Sequence, residues 1–218
     1  EPSHPIALAR YDVTVTTTDL AGLVSWDEPT NDFSVGFEVK GDIEDGPGMW
    51  AETTGAVNLD DAESYHFEAE VGLDYTFDVL DGLYVATEYI HHGKGRAGDY
   101  LQSAIGGGRR SVLLGQEYFL VLLRQTFDGE WSLQLLNLLN CRDPSGTASL
   151  QLTWLPTGYL ELVLGGNATY GADGGEYTLV IPNTVAVPGL GTIPVPEQYQ
   201  GLRVTPVASL FLWARFYY

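Results

Sequence analysis

The chain is short of several things, and each shortage excludes something. One cysteine stands in 218 residues, so Cys141 has no internal disulfide partner, and its turn-like setting gives it no redox role. No apolar run reaches the roughly 18 residues a membrane-crossing helix needs. The longest greasy stretch, Phe119–Leu123, has strand length. No segment shows convincing helical periodicity. Basic residues are few: 10 Lys and Arg face 29 Asp and Glu, a net charge of −19. Such a surface repels phosphates and excludes nucleic acid as a partner. The Gly-x-Ser-x-Gly elbow and the His-Glu-x-x-His motif are absent, so no enzyme activity, catalytic residue or cofactor is expected. Glu1-Pro-Ser-His shows no signal-peptide pattern, and the numbering reads as a mature chain or as a piece of a longer one.

What is present is β-structure. Apolar residues make up 44 % and tyrosine occurs 13 times, a balance that suits strands. Turn chemistry divides the chain at Asp27-Glu-Pro-Thr-Asn31, Asp128-Gly129, Arg142-Asp-Pro-Ser-Gly146 and Pro156-Thr-Gly158. Strands are predicted at 6–17, 20–28, 33–42, 49–58, 64–77, 82–93, 116–127, 131–141, 146–156, 159–170 and 207–218. Glu176–Ile181 reads as an extra strand or a folded loop. Pro182, Pro188, Pro194 and Pro196 argue against ladder pairing beyond it.

Most of these segments alternate. Successive strand side chains point to opposite faces, so each segment has a smooth and a polar side. The smooth set is Phe33, Val35, Phe37, Phe67, Val71, Leu73, Tyr75, Leu83, Val85, Leu150, Leu152, Leu160, Leu162, Leu210, Leu212, Phe216 and Tyr218. The polar set is Arg10, Asp12, Glu38, Lys40, Glu52, Glu68, Glu70, Asp74, Glu88, Glu161 and Arg215. Strands of ten or more residues exceed the usual five or six and match a tilted membrane crossing. The expectation is an all-β fold: one antiparallel up-and-down transmembrane β-barrel of about 10–12 strands over residues 1–218, possibly part of a larger barrel. Extracellular loops are expected near 94–115 and 171–206. The smooth set is then lipid-facing and the polar set pore-lining.

Gly48-Met-Trp-Ala-Glu52, Gly72-Leu-Asp-Tyr-Thr-Phe77, Gly82-Leu-Tyr-Val-Ala-Thr-Glu-Tyr89 and Tyr159-Leu-Glu-Leu-Val-Leu-Gly165 resemble the C-terminal half of porin-like outer-membrane proteins of Gram-negative bacteria. The resemblance covers roughly residues 30–218. It implies a passive pore or structural barrel in the outer membrane, longer than this chain, with no catalytic residue. The terminal aromatic strand also resembles the one that barrel-assembly machinery reads in that family.

The leading expectation is therefore an outer-membrane channel for small solutes, in contact with outer-membrane lipid, whose acidic lumen mildly prefers cations. A homo-oligomer or a protein partner is compatible with it. One alternative is a structural or conduit barrel that sheathes or anchors a partner protein. The other is a secreted β-sandwich that binds glycans through Trp and Tyr. His91-His92 lie on opposite faces of one strand and do not chelate a single metal; no metal site is expected. Gly106-Gly-Gly-Arg-Arg110 lacks the ending of a phosphate loop and reads as an outer loop. Asn167-Ala-Thr169 is a weak glycosylation match.

Overall fold

The computed structural model describes residues 6–28, 30–43, 46–61, 64–98, 100, 113–187 and 191–217. The strands are β1 (Ile6–Val15), β2 (Thr18–Asp27), β3 (Asp32–Asp42), β4 (Gly48–Asn58), β5 (Tyr65–Phe77), β6 (Leu83–His92), β7 (Glu117–Phe127), β8 (Trp131–Asn140), β9 (Ser145–Thr157), β10 (Leu160–Tyr170), β11 (Thr184–Val187), β12 (Gly191–Pro194) and β13 (Ala208–Phe216). Eleven of them coincide with the predicted segments to within about two residues. Turn chemistry explains this accuracy. Asp128 and Gly129 both take positive φ, 50° and 68°, as a type I′ hairpin turn requires. Glu130 N–H donates to the Phe127 carbonyl at 3.2 Å and closes it.

The proline-rich segment departs from expectation. Glu176–Thr178 is a 3-10 turn, and β11 and β12 pair as a small hairpin. Pro194 ends β12 opposite Thr184, a strand end, where a missing N–H is tolerated.

The chain divides into two compact units, Glu1–Tyr75 with Ala86–Lys94, and Thr76–Val85 with Gly95–Tyr218. In the first, the register stacks Val13, Leu20, Val39, Ala51 and Val71 across β1 to β5, and Ala9, Val24, Val35, Gly55 and Phe67 in a parallel row. The opposite face carries Asp12, Ala21, Glu38, Glu52 and Glu70 in one row. In the second unit, Leu123, Leu135, Leu150, Gly166 and Leu210 form a row across β7 to β10 and β13. Gln125, Leu133, Leu152, Leu164 and Leu212 lie beside it.

The large sheet is open. Its strand order runs β1-β2-β3-β4-β5-β6-β7-β8-β9-β10-β13, so β1 and β13 each have a single neighbour. The closed transmembrane barrel expected from the sequence is not formed. An up-and-down meander of eleven strands brings its first and last strands to the seam running the same way, whereas single-chain bacterial barrels close on an even count. Two free edges leave rows of unpaired N–H and C=O groups, each costing several kcal/mol in hydrocarbon. Without pairing of β1 to β13 the described strands form no closed barrel wall, so the expected acidic, cation-preferring lumen is corrected too. The resemblance to porin-like proteins is corrected with the barrel. So are the transmembrane channel for small solutes, the contact with outer-membrane lipid, the last strand offered to barrel-assembly machinery, and the outer-membrane location. No helix among the described residues is long and apolar enough to cross a membrane.

Among the described residues the second sheet is the small β11–β12 hairpin, so the β-sandwich alternative finds no second large sheet there. Stable domains bury apolar faces between layers. Here the buried apolar residues among those described are Ala21, Ala56, Ala86, Tyr100, Tyr118, Val163 and Leu179. Three of the seven are alanines, and larger side chains such as Trp26, Trp131, Leu152 and Leu162 are half-buried.

Candidate functional site

Many large apolar side chains of the smooth faces are exposed among the described residues. In the first unit Tyr11, Val35, Phe37, Phe67, Val71 and Leu73 are all exposed on one side. In the second, exposure rises along one row toward the edge strand: Leu135 is 36 % exposed, Leu150 52 % and Leu210 88 %. Trp131 and Trp154 lie opposite one another in β8 and β9 and stack with centroids 4.9 Å apart and planes 7° apart. Contiguous apolar surface on this scale marks a contact site. Long, unprotected sheet edges do the same.

The opposite face of the first unit is an acidic trough of about 370 Å³ lined by Glu38, Lys40, Trp50, Ala51, Glu52, Glu70 and Asp74. Glu38, Glu52 and Glu70 sit directly across from one another on β3, β4 and β5. Like charges so placed cost roughly 0.2–1 kcal/mol per pair. Three local contacts offset that. Arg10 reaches Asp12 at 2.8 Å and Glu38 at 2.9 Å. Trp50 Nε1 donates to Glu70 Oε1 at 3.1 Å. Burial, then the charge and hydrogen bond of Glu70, push the Glu88 carboxyl up to about 7, against a lowering hydrogen bond from Trp50. The Trp50 ring lies on Gly72, where a Cβ would come within 2.1 Å of Cζ2; only glycine lets the indole lie down on the sheet.

A third cluster closes one end of the second unit. Glu176 is buried and its carboxylate accepts from Leu114 N–H, Tyr118 O–H and Asn140 Nδ2, each at 2.7 Å. Asn140 Nδ2 also reaches Tyr100 Oη at 3.2 Å. The Glu176 N–H donates to Asp143 Oδ2 at 2.8 Å, and Asp143 Oδ1 accepts from Ser145 N–H and Oγ. Burial, then the Glu176 hydrogen bond and charge, raise Tyr118 far above the ordinary phenol range. Burial is also the first cause that pushes Tyr100 up to about 12. Both hydroxyls stay protonated at any physiological pH, and that of Tyr118 donates to Glu176. The cluster ties the segments before β7 and after β10 to the strand ends. It is a clamp.

The residues singled out from sequence fall as follows. Arg10, Asp12, Glu38, Lys40, Glu52, Glu68, Glu70, Asp74 and Glu88 share the trough face of the first unit. Glu161 and Arg215 are directly opposite in β10 and β13 of the second. They form an ion pair at 3.6 Å beside Tyr217, which donates to Glu161, and the Arg215 guanidinium lies 4.7 Å over Trp213. Phe33, Val35, Phe37, Phe67, Val71, Leu73 and Tyr75 lie on the other side of the first unit, and Leu150, Leu152, Leu160, Leu162, Leu210, Leu212 and Phe216 on one side of the second. Leu83 and Val85 are on one side of β6, opposite in alternation to Glu88. Tyr218, His4, Gly106–Arg110 and Pro188 lie outside the described residues. His92 Nδ1 is 3.0 Å from Glu68, while the His91 ring is near Phe67. Asn167 Nδ2 donates to Ser209 Oγ at 3.4 Å within the sheet. No group of three His, Cys, Asp or Glu that could hold a metal ion is found among the described residues.

Sequence reasoning missed the clamp and the role of Trp50. The partners of Glu176 are 33 to 62 residues away, so no local pattern announces them. The one available signal is an acidic residue in a glycine-rich segment directly after a long strand.

No family model, no curated protein and no solved structure matches the chain.

Proposed function

We propose that this chain is a structural β-sheet protein that works by association, anchoring a further protein chain on its apolar face and free edges. The carrying observation is the mismatch between the apolar rows left in water and the seven apolar side chains that are buried. A sheet with so few fully buried apolar side chains among its described residues is poorly stabilised alone. At roughly 25 cal/mol per Å², covering its smooth face is the largest stabilising contribution open to it. The exposed smooth face also separates this reading from a glycan-binding sandwich, where those residues would be sealed between two sheets.

Light scattering over a concentration series, with a hydrophobic dye as reporter, tests it. Concentration-dependent assembly and strong dye binding are expected, and Leu164→Lys on the apolar face weakens both. A monodisperse monomer that binds little dye refutes the reading.

A further inference from the structure

The free edge of the second unit has a specific hydrogen-bonding phase. Tyr217 N–H donates to the Tyr159 carbonyl at 3.0 Å, and Thr169 N–H donates to the Val207 carbonyl at 2.9 Å. These flank a regular register in which Leu160 opposes Phe216 and Ala168 opposes Ala208, with no shift between them. In an antiparallel ladder, pairs that exchange both bonds alternate with pairs that exchange none. The odd-numbered residues of β13 therefore use their backbone groups on β10. The even-numbered ones, Ala208, Leu210, Leu212, Ala214 and Phe216, direct theirs outward. Their side chains are the smooth set, with Leu210, Leu212 and Phe216 exposed by 88 %, 74 % and 65 %.

Few of the devices that blunt an edge are present: β13 contains no proline, lysine or bulge, and Arg215 is its one charged residue. It also contains no carboxylate, in a chain of net charge −19. Two copies of so acidic a chain meet at least cost where that charge is absent. The other edge strand, β1, carries Asp12.

The strand is also complementary to itself. It spans nine residues centred on Leu212. A two-fold axis normal to the sheet at Leu212 gives full overlap and keeps the smooth face on one side of both copies. Leu212 then meets Leu212 of the second copy, Leu210 meets Ala214, and Ala208 meets Phe216, so the longer side chains away from the axis face alanine. On the other face Phe211 meets Trp213, and the only charged side chain, Arg215, meets Ser209, so no like charges are opposed. Every even-numbered pair in this register is one whose N–H and C=O groups face outward and exchange bonds.

We infer that β13 pairs antiparallel with β13 of a second copy of this chain, about a two-fold axis through Leu212. This rests on the association reading above and names the partner and the register. The contact is isologous and joins the two smooth faces into one continuous surface.

The experiment uses the full chain with Cys141→Ser. Residues in a hydrogen-bonded antiparallel pair have Cα atoms about 5.5 Å apart, within disulfide range. Leu212→Cys should oxidise to a covalent dimer. Leu210→Cys should not, because its counterpart faces Ala214. Leu212→Pro removes an outward N–H and no bond to β10, and should weaken the dimer about tenfold or more by light scattering. Cross-linking of Leu210→Cys as efficient as that of Leu212→Cys overturns the register, and an undiminished dimer in Leu212→Pro overturns the pairing. A wild-type monomer that binds hydrophobic dye strongly overturns the pairing but leaves the broader association reading standing. A monomer that binds little dye overturns both.

Discussion

Glu88 gives the sharpest test of the acidic row. Its carboxyl titrates at about 7 in the fold, against about 4.3 for an unperturbed glutamate. Below about pH 4.5 the folded and unfolded chains both hold the proton, and Glu88 favours neither. Between about 4.5 and 7 the unfolded chain releases it while the folded chain keeps it, so stability falls as pH rises through this window. Above 7 both are ionised and the loss is complete. Taken at face value the shift corresponds to roughly 3 kcal/mol. Glu88 is only partly buried, and solvent screening reduces that to about 1–2 kcal/mol. Glu88→Gln removes the titration while keeping the shape and a hydrogen-bonding amide beside Glu70. Urea unfolding at pH 5 and pH 8 should show the variant close to wild type at pH 5 and about 1–2 kcal/mol more stable at pH 8. Glu52→Gln, two strands from Glu88 along the row, is the control for generic relief of negative charge. Equal pH dependence in wild type and Glu88→Gln would refute the argument, as would a carbon-13 titration placing the Glu88 carboxyl near 4.5.

Three further outcomes follow from the packing. Glu176→Gln loses the charge-assisted acceptor at the centre of the clamp and should cost about 2–3 kcal/mol; hydrogen exchange should quicken first at Leu114, Gly115 and Glu176, and unchanged protection there would contradict the clamp. In Gly72→Ala the new Cβ cannot share space with the Trp50 ring, so the indole must lift and release Glu70, at a cost of about 1–3 kcal/mol; the red shift of Trp fluorescence reports it. Trp154→Leu breaks the stacked pair with Trp131 and should abolish an exciton couplet in circular dichroism, with a loss of about 0.5–1.5 kcal/mol beyond area burial.

Most strand positions were legible because their signals are local. Period-two alternation and turn residues such as Asp128-Gly129 act over a handful of residues, and the eleven predicted segments reappear with shifts of about two residues at most. The sharing of faces was equally legible, since one residue of slip would move every side chain of a strand to the other side. The candidate sites were legible only in part. Glu38, Glu52 and Glu70 were readable as one face, but their opposition at adjacent strands is a register property, as is the seating of Trp50 on Gly72. The buried Glu176 was not readable at all, because its donors come from three separate segments.

The sequence by itself determined where the strands lie and which side of each is smooth. Only the tertiary structure decided whether those strands close on themselves. Alternation looks the same in a barrel wall and in an open sheet, because closure depends on whether the first and last strands find each other, a contact between residues about two hundred positions apart that no local pattern encodes. With β1 and β13 both left as edges, the same smooth residues that promised a lipid-facing wall are left exposed, and on that exposure the proposed association rests.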